Sequence, residues 1–210
     1  MGRQGSMVTK KDNRSGREKA ILRHQIVGLM EDVPVICETH GGKGVLWGLV
    51  YKDIAGVTGF VFEKDWEKAK VLALQRPRWA VYSEDCVRCL AGGVGAHLTV
   101  NLLDVDPYGD PWPAVDAFFQ SERPRAETLW IVVMDNLLDS CRTGRAWDTP
   151  SLKGIVADFG NDLAPIYADV VGRELIQRKA AQAGYSLGRF VGIRSGHSKR
   201  TALFGAQLTR

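Results

Sequence analysis

Between Val33 and Met134 the chain repeats one unit: a short apolar run that ends on an acid, a turn, and then a stretch with helical spacing. Val33-Pro34-Val35-Ile36-Cys37 stops at Glu38 and a glycine-rich turn, and a helical stretch is expected from Lys43 to about Asp53. The alternation predicts strands over Val57 to Phe62, Trp79 to Tyr82, Leu98 to Leu103 and Thr128 to Met134. Helices are expected between them over Asp65 to Gln75, Cys86 to Ala91 and Trp112 to Gln120. Strands alternating with helices imply a parallel sheet with right-handed crossovers, covered on both faces.

Both ends depart from the repeat. Arg17 to Glu31 places Leu22, Ile26, Leu29 and Met30 on one face of a leading helix. A long helix from about Asn161 to Ala183 carries Leu163, Ile166, Tyr167, Val170, Val171 and Leu175 on one face. After it Leu187 to Ile193 and Thr201 to Leu208, joined through Ser195-Gly196-His197-Ser198, read as an antiparallel hairpin. Asp135 to Gly160 fits no element and reads as a long loop, functional or merely solvated, bearing Arg142, Arg145, Trp147 and Lys153.

Five β/α units closed by a helix and a hairpin resemble the class I, Rossmann-like methyltransferases over nearly the whole chain beyond its first residues. The resemblance implies an α/β fold with a mostly parallel seven-stranded sheet, a C-terminal antiparallel hairpin and helices on both faces. It also implies S-adenosylmethionine as cofactor, bound at the C-terminal ends of the strands, where open α/β sheets hold ligands.

Those strand ends carry Glu38-Thr39-His40-Gly41-Gly42-Lys43-Gly44, then Glu63 with Lys64, then Asp85 with Cys86, then Asp106-Pro107-Tyr108-Gly109. The acids are separated by 25, 22 and 21 residues, one β/α unit each. In the methyltransferase reading the turn from His40 to Gly44 lets backbone approach the cofactor. Glu38 would receive the methionine ammonium, Glu63 both ribose hydroxyls, and Asp85 with the Cys86 backbone the adenine amine.

Asp106, Pro107 and Tyr108 are the candidate catalytic residues, Asp106 also bordering the cofactor. Amino-group methyltransferases carry an Asp/Asn-Pro-Pro-aromatic tetrapeptide at this place. The sequence lacks the second proline and is more similar to the Asp-Pro-aromatic-Gly form of the tRNA guanine-N2 methyltransferases, which carry a further RNA-binding domain for which this chain has no room. The implied acceptor is an exocyclic amine of a nucleic-acid base, in RNA or DNA. The same residues also suit a plain turn, and Asp110-Pro111-Trp112 repeats the pattern.

Charge adds to this. Met1 to His24 holds seven Lys/Arg against two acids, and Tyr185 to Arg210 five against none, leaving sixteen bases and twenty-two acids between. Basic ends beside an acidic body suit a polyanionic partner. Residues 1–15 are expected to be a disordered basic tail, with Met1 to Met7 a remnant ahead of a natural start, and residues 16–210 a single domain.

Other classes fit less well. A dinucleotide oxidoreductase would want G-x-G-x-x-G, and a P-loop would want Ser/Thr after its lysine, whereas Lys43 precedes Gly44. Cys86 and Cys89 form one C-x-x-C pair without a second, and His40, His97 and His197 stand apart, so no metal site is expected. With no apolar run near the roughly 18 residues of a membrane span, and no signal-like N-terminus, a soluble cytoplasmic protein is expected. A methyltransferase-like fold kept for binding or assembly, or one acting on protein or small molecules, stays open.

Overall fold

A computed structural model of the chain describes residues 16–195 and 200–210. The expected basic tail and the hairpin turn with His197 lie outside the described residues. Seven strands form one sheet: β1 (Val35–Glu38), β2 (Thr58–Phe62), β3 (Ala80–Tyr82), β4 (Val100–Val105), β5 (Arg125–Asp135), β6 (Ser186–Ser195) and β7 (Thr201–Thr209). Their order is β3-β2-β1-β4-β5-β7-β6, parallel from β3 to β5, with β7 antiparallel to both β5 and β6. The α/β fold class expected above is the one observed. Among the described residues no helix is long and apolar enough to cross a membrane.

Alternation along the strands splits the core in two. Ile36, Val61, Leu102, Trp130 and Val132 face one side with α1 (Gly16–Leu29) and Leu72 of α2 (Trp66–Gln75). Cys37, Phe60, Phe62, Leu103 and Val133 face the other, with α3 (Cys86–Ala91), α4 (Trp112–Gln120) and α7 (Gly172–Ala181). Each central strand is thereby buried on both faces, as a parallel sheet requires. Capping carboxylates begin two of the helices. Asp65 accepts the Glu67 and Lys68 amides at α2, and Asp85 those of Val87 and Arg88 at α3.

Three segments differ from expectation. The helix expected from Lys43 becomes a π-helical turn over Trp47–Tyr51, in which the Lys52 amide reaches back to the Trp47 carbonyl. The helix expected from Asn161 begins only with a second π turn, Tyr167–Val171, ahead of α7, because Pro165 disfavours helical backbone at the residue before it. Asp135 to Gly160 is structured: α5 (Leu138–Arg142), two 3-10 turns and α6 (Lys153–Phe159), ended by positive φ at Gly144 and Gly160. Its Leu138, Cys141, Ala146, Leu152 and Ile155 are buried in the larger core, so the segment is part of the domain and not a free loop.

Candidate active site

The C-terminal ends of β1 to β4 are laced together by backbone. The Thr39 amide donates to the Asp104 carbonyl (2.9 Å), that of Gly41 to Phe62 (2.9 Å), and that of Glu63 to Tyr82 (3.0 Å). Each link carries a strand's order into the turn beyond it. At Gly41 an added Cβ would lie 2.5 Å from Leu72 Cδ1 and 2.6 Å from Val61 Cγ2, so the turn is pressed onto the sheet. Gly42 has φ +54 and meets nothing within 4 Å, so at that point the backbone borders open space.

His40 is the centre of the arrangement. Its Nδ1 shares a 2.7 Å hydrogen bond with Thr39 Oγ1, and its Nε2 lies 3.6 Å from Cys86 Sγ, bringing the ends of β1 and β3 together. Burial holds its pKa below the ordinary value, against the raising pull of the Asp106, Glu63, Asp85 and Asp104 charges. Glu63 is half-buried, and its two oxygens accept the Gly42 amide at 2.7 Å and the Asp65 amide at 2.9 Å. Asp85 uses one oxygen, Oδ1, for both capping bonds. Lys64 is exposed beside Glu63, and Cys86 is buried with its thiol pushed up to about 12 by burial and the Asp85 charge.

Glu38 differs from expectation. It is 3% exposed and its carboxylate is paired with the Arg76 guanidinium, itself buried, so an ammonium placed there would have to share it. Burial pushes the Glu38 carboxyl upward and Arg76 pulls it back.

Beside that pair lies a second buried ionic group that sequence reasoning missed. Asp104, opposite Glu38 in the β1–β4 register, accepts Arg23 Nε at 2.7 Å, Arg23 Nη2 at 2.5 Å and the Tyr51 hydroxyl at 2.7 Å. Asp106 accepts Lys19 Nζ at 2.8 and 3.0 Å, with Arg23 Nη2 at 3.8 Å. Burial alone would lower the Arg23 pKa, and the charge and hydrogen bonds of Asp104 overcome it. Lys19 and Arg23 stand four residues apart on the face of α1 that also carries Leu22 and Ile26, and charges on an apolar face were the available sign.

Across the sheet Asp135 repeats the pattern. It accepts Trp112 Nε1 at 2.8 Å, the Tyr167 hydroxyl at 2.9 Å and the Leu137 amide at 2.6 Å, and burial pushes its carboxyl up to about 7. Each π turn thus supplies a tyrosine to a buried strand-end aspartate, consistent with such turns marking functional regions. Its neighbour Asn136 donates to the Pro107 carbonyl at 3.2 Å, fixing the Asp106-Pro107-Tyr108-Gly109 segment against β5. Tyr108 is 81% exposed at the tip of that segment. Asp110 serves structure, accepting the Trp112 amide at 3.0 Å and the Ser151 hydroxyl at 2.5 Å.

No protein-family model matches the sequence, and no curated protein matches it. Solved structures do match the fold. A crystal structure of M. jannaschii TYW2 in complex with AdoMet superposes with TM-score 0.63 at 10% identity, over 97% of this chain and 79% of that one. The fold is that of the Rossmann-like methyltransferases. Trm1 from Pyrococcus horikoshii, in complex with S-adenosyl-L-methionine, gives TM-score 0.63 at 11% identity over 97% of this chain, which spans only 58% of Trm1. The plantazolicin methyltransferase BamL, solved with a triazolic desmethylPZN analog and SAH, gives 0.54 at 9% identity, over 94% of this chain and 84% of its own.

Proposed function

We propose that the chain is an S-adenosylmethionine-dependent methyltransferase whose acceptor is an exocyclic amine of a nucleic-acid base, in RNA or DNA. The observation that carries this reading is the open glycine turn at the C-terminal edge of this sheet, where Glu63 accepts the Gly42 amide and His40 meets Thr39 and Cys86, with the charges of Asp106, Glu63 and Asp85 acting on it. The donor set fits the group. It is rich in carboxylates, and burial holds the His40 pKa down in spite of them, so it offers acceptors to hydroxyls and amines and repels a pyrophosphate.

When bound, S-adenosylmethionine supplies a sulfonium methyl that an amine lone pair attacks in line, which asks the protein mainly for alignment. Glu63, oriented in advance by the Gly42 and Asp65 amides, accepts the ribose hydroxyls. Asp85, through the oxygen not used in capping, and the Cys86 backbone hold the adenine edge. Thr39, His40, Gly41, Gly42 and Gly44 line the methionine side, with Lys64 at the rim. Glu38 and Arg76 brace the turn from beneath. On the acceptor side an Asp106 oxygen and the Pro107 carbonyl take hydrogen bonds from the target amine, leaving its lone pair free, and Tyr108 stacks on the base. A base within a duplex would have to be flipped out to reach them.

A second reading follows from one observation: both Asp106 oxygens already accept from Lys19. If that pair persists with substrate, Asp106 is an anchor for α1 and the acceptor is a protein or small molecule, or the domain serves binding or assembly. Tritium transfer from labelled cofactor onto RNA, DNA, protein and small-molecule fractions tests both. Label in RNA or DNA supports the proposal, label in protein or small molecules supports the second reading, and label in no fraction contradicts catalysis.

A further inference from the structure

The opposite end of the sheet holds a cavity of about 320 Å³ at the N-terminal ends of β2 and β3, lined among others by Trp47, Lys52, Val57, Arg76, Arg78 and Trp79. That volume lies at the low end of the range of small-molecule sites. Arg76, which lines it, also reaches Glu38 at the far end of β1, so the two regions are neighbours joined by this pair.

Two buried donors in its lining have no hydrogen-bond partner among the described residues: Arg76 Nε and Trp79 Nε1. The residues are 1% and 7% exposed, and a buried N–H left unpaired is costly enough that native structures nearly always satisfy it. Arg76 cannot turn away to find a partner. Its Nη atoms are taken up by Glu38, and its guanidinium lies 5.0 and 5.2 Å from the Trp47 and Trp79 ring centroids. The two indoles meet edge to face at 4.9 Å and form a rigid aromatic corner.

The lining contains no acid, and Lys52 and Arg78 are exposed at its mouth. Because Glu38 already neutralises Arg76, the net charge that a ligand meets is the pair of exposed cations. Aromatic walls, unpaired N–H donors in the lining residues and a basic mouth together select a flat ring that carries acceptor atoms and an anionic group.

The geometry points to this cavity as a second ligand site, separate from the proposed cofactor edge, that takes a small aromatic anion. The ring packs against the Trp47 and Trp79 corner, its acceptor atoms meet Trp79 Nε1 and Arg76 Nε, and its phosphate or carboxylate meets Lys52 and Arg78. The site stands independently of the methyltransferase reading.

Titration of the full chain with adenosine 5′-monophosphate, with indole-3-carboxylate and with inorganic phosphate alone tests it, followed by the indole N–H resonance that vanishes in Trp79→Phe. At least one aromatic anion should move that resonance saturably with Kd below about 1 mM. Which of the two does so distinguishes phosphate from carboxylate as the anionic group. The Lys52→Ala/Arg78→Ala double variant, altered only at exposed side chains, should weaken that ligand at least about fivefold. Saturating S-adenosylhomocysteine should leave the titration unchanged.

The inference is overturned if neither aromatic anion shifts the resonance at about 10 mM, or if the double variant binds as tightly as the wild type. It is also overturned if phosphate alone binds equally well, or if S-adenosylhomocysteine competes. Competition would place the ligand in the cofactor site, whereas failure of S-adenosylhomocysteine itself to bind would count against the methyltransferase reading alone.

Discussion

Lys19 on the first helix holds both carboxylate oxygens of Asp106, 87 residues away, at 2.8 and 3.0 Å. Both side chains are at most 10% exposed, so the pair works at low dielectric and ties α1 to the segment proposed to receive the acceptor. Removing the ammonium strands a largely buried carboxylate, with Arg23 at 3.8 Å as partial substitute. Lys19→Ala is expected to lower unfolding free energy by about 2 to 3 kcal/mol in denaturant titration. Lys19→Arg should lose less than half of that; equal losses would mean that packing, and not charge, is what matters at this position.

Asp106→Ala in the Lys19→Met background leaves no orphaned ammonium, so it tests chemistry with less disturbance of the fold. Methyl transfer should be lost while S-adenosylhomocysteine affinity stays within a few-fold of the Lys19→Met protein. A parallel collapse in affinity, read by calorimetry, would move Asp106 from the acceptor side to the cofactor side.

Asp135 predicts an unusual pH dependence. Its folded-state pKa is about 7 against an ordinary 3.8, raised by burial in spite of the bonds from Leu137, Tyr167 and Trp112. Between about pH 4 and pH 7 the unfolded chain releases this proton while the folded chain keeps it, so this group's contribution to stability falls as pH rises. The loss amounts to a few kcal/mol at most, at about 1.4 kcal/mol per unit of pKa difference. Asp135→Asn cannot ionise, and the difference in melting temperature between variant and wild type should shift in favour of the variant from pH 4 to 7, as calorimetric scans can follow. A constant difference across that range would contradict the burial of a proton here.

The segment after β5 remains the candidate reader of a nucleic-acid backbone, now as a folded element. Arg142, Arg145 and Trp147 are on its surface, Trp147 being 58% exposed. Arg142→Ala with Arg145→Ala should weaken binding of single-stranded RNA and flatten its salt dependence by roughly one unit of slope for each phosphate no longer neutralised. Trp147→Ala should weaken it further, as removal of a stacking ring does, by about 1 to 3 kcal/mol, with little change in melting temperature. An unchanged salt slope would shift attention to Arg194 and Arg200. Those cations are engaged, Arg194 with the Ala164 and Pro165 carbonyls and Arg200 with Asp139.

How far the sequence was legible follows from the range of each interaction. α3 and α4 occupy Cys86–Ala91 and Trp112–Gln120 as expected, because capping and proline at a helix start are local. The handedness of crossovers narrows the strand orders open to such a sequence without choosing among them, and the observed order is a tertiary result. β4 runs to Val105 and not Leu103, because Asp104 reads as a strand end until its partner Arg23, 81 residues away, is known. The Asn161 helix failed on Pro165, whose effect outweighs the periodicity of Leu163, Tyr167, Val171 and Leu175, all of them nonetheless buried. α5 and α6 are five and seven residues long, too short to display a period. At the site, the spacing puts Glu63 and Asp85 just beyond β2 and β3, whereas the engagement of Glu38 by Arg76 and of Asp106 by Lys19 depends on tertiary contacts that spacing does not encode.

The central claim is that the acid-lined edge of this sheet binds S-adenosylmethionine, and calorimetry of the wild type and Glu63→Ala with S-adenosylhomocysteine tests it most directly. Saturable wild-type binding is expected, with affinity weaker by about 1.5 to 3 kcal/mol in Glu63→Ala, the value of charged hydrogen bonds to two hydroxyls. No heat of binding by the folded wild type at about millimolar ligand, or equal affinity in the two proteins, would contradict it.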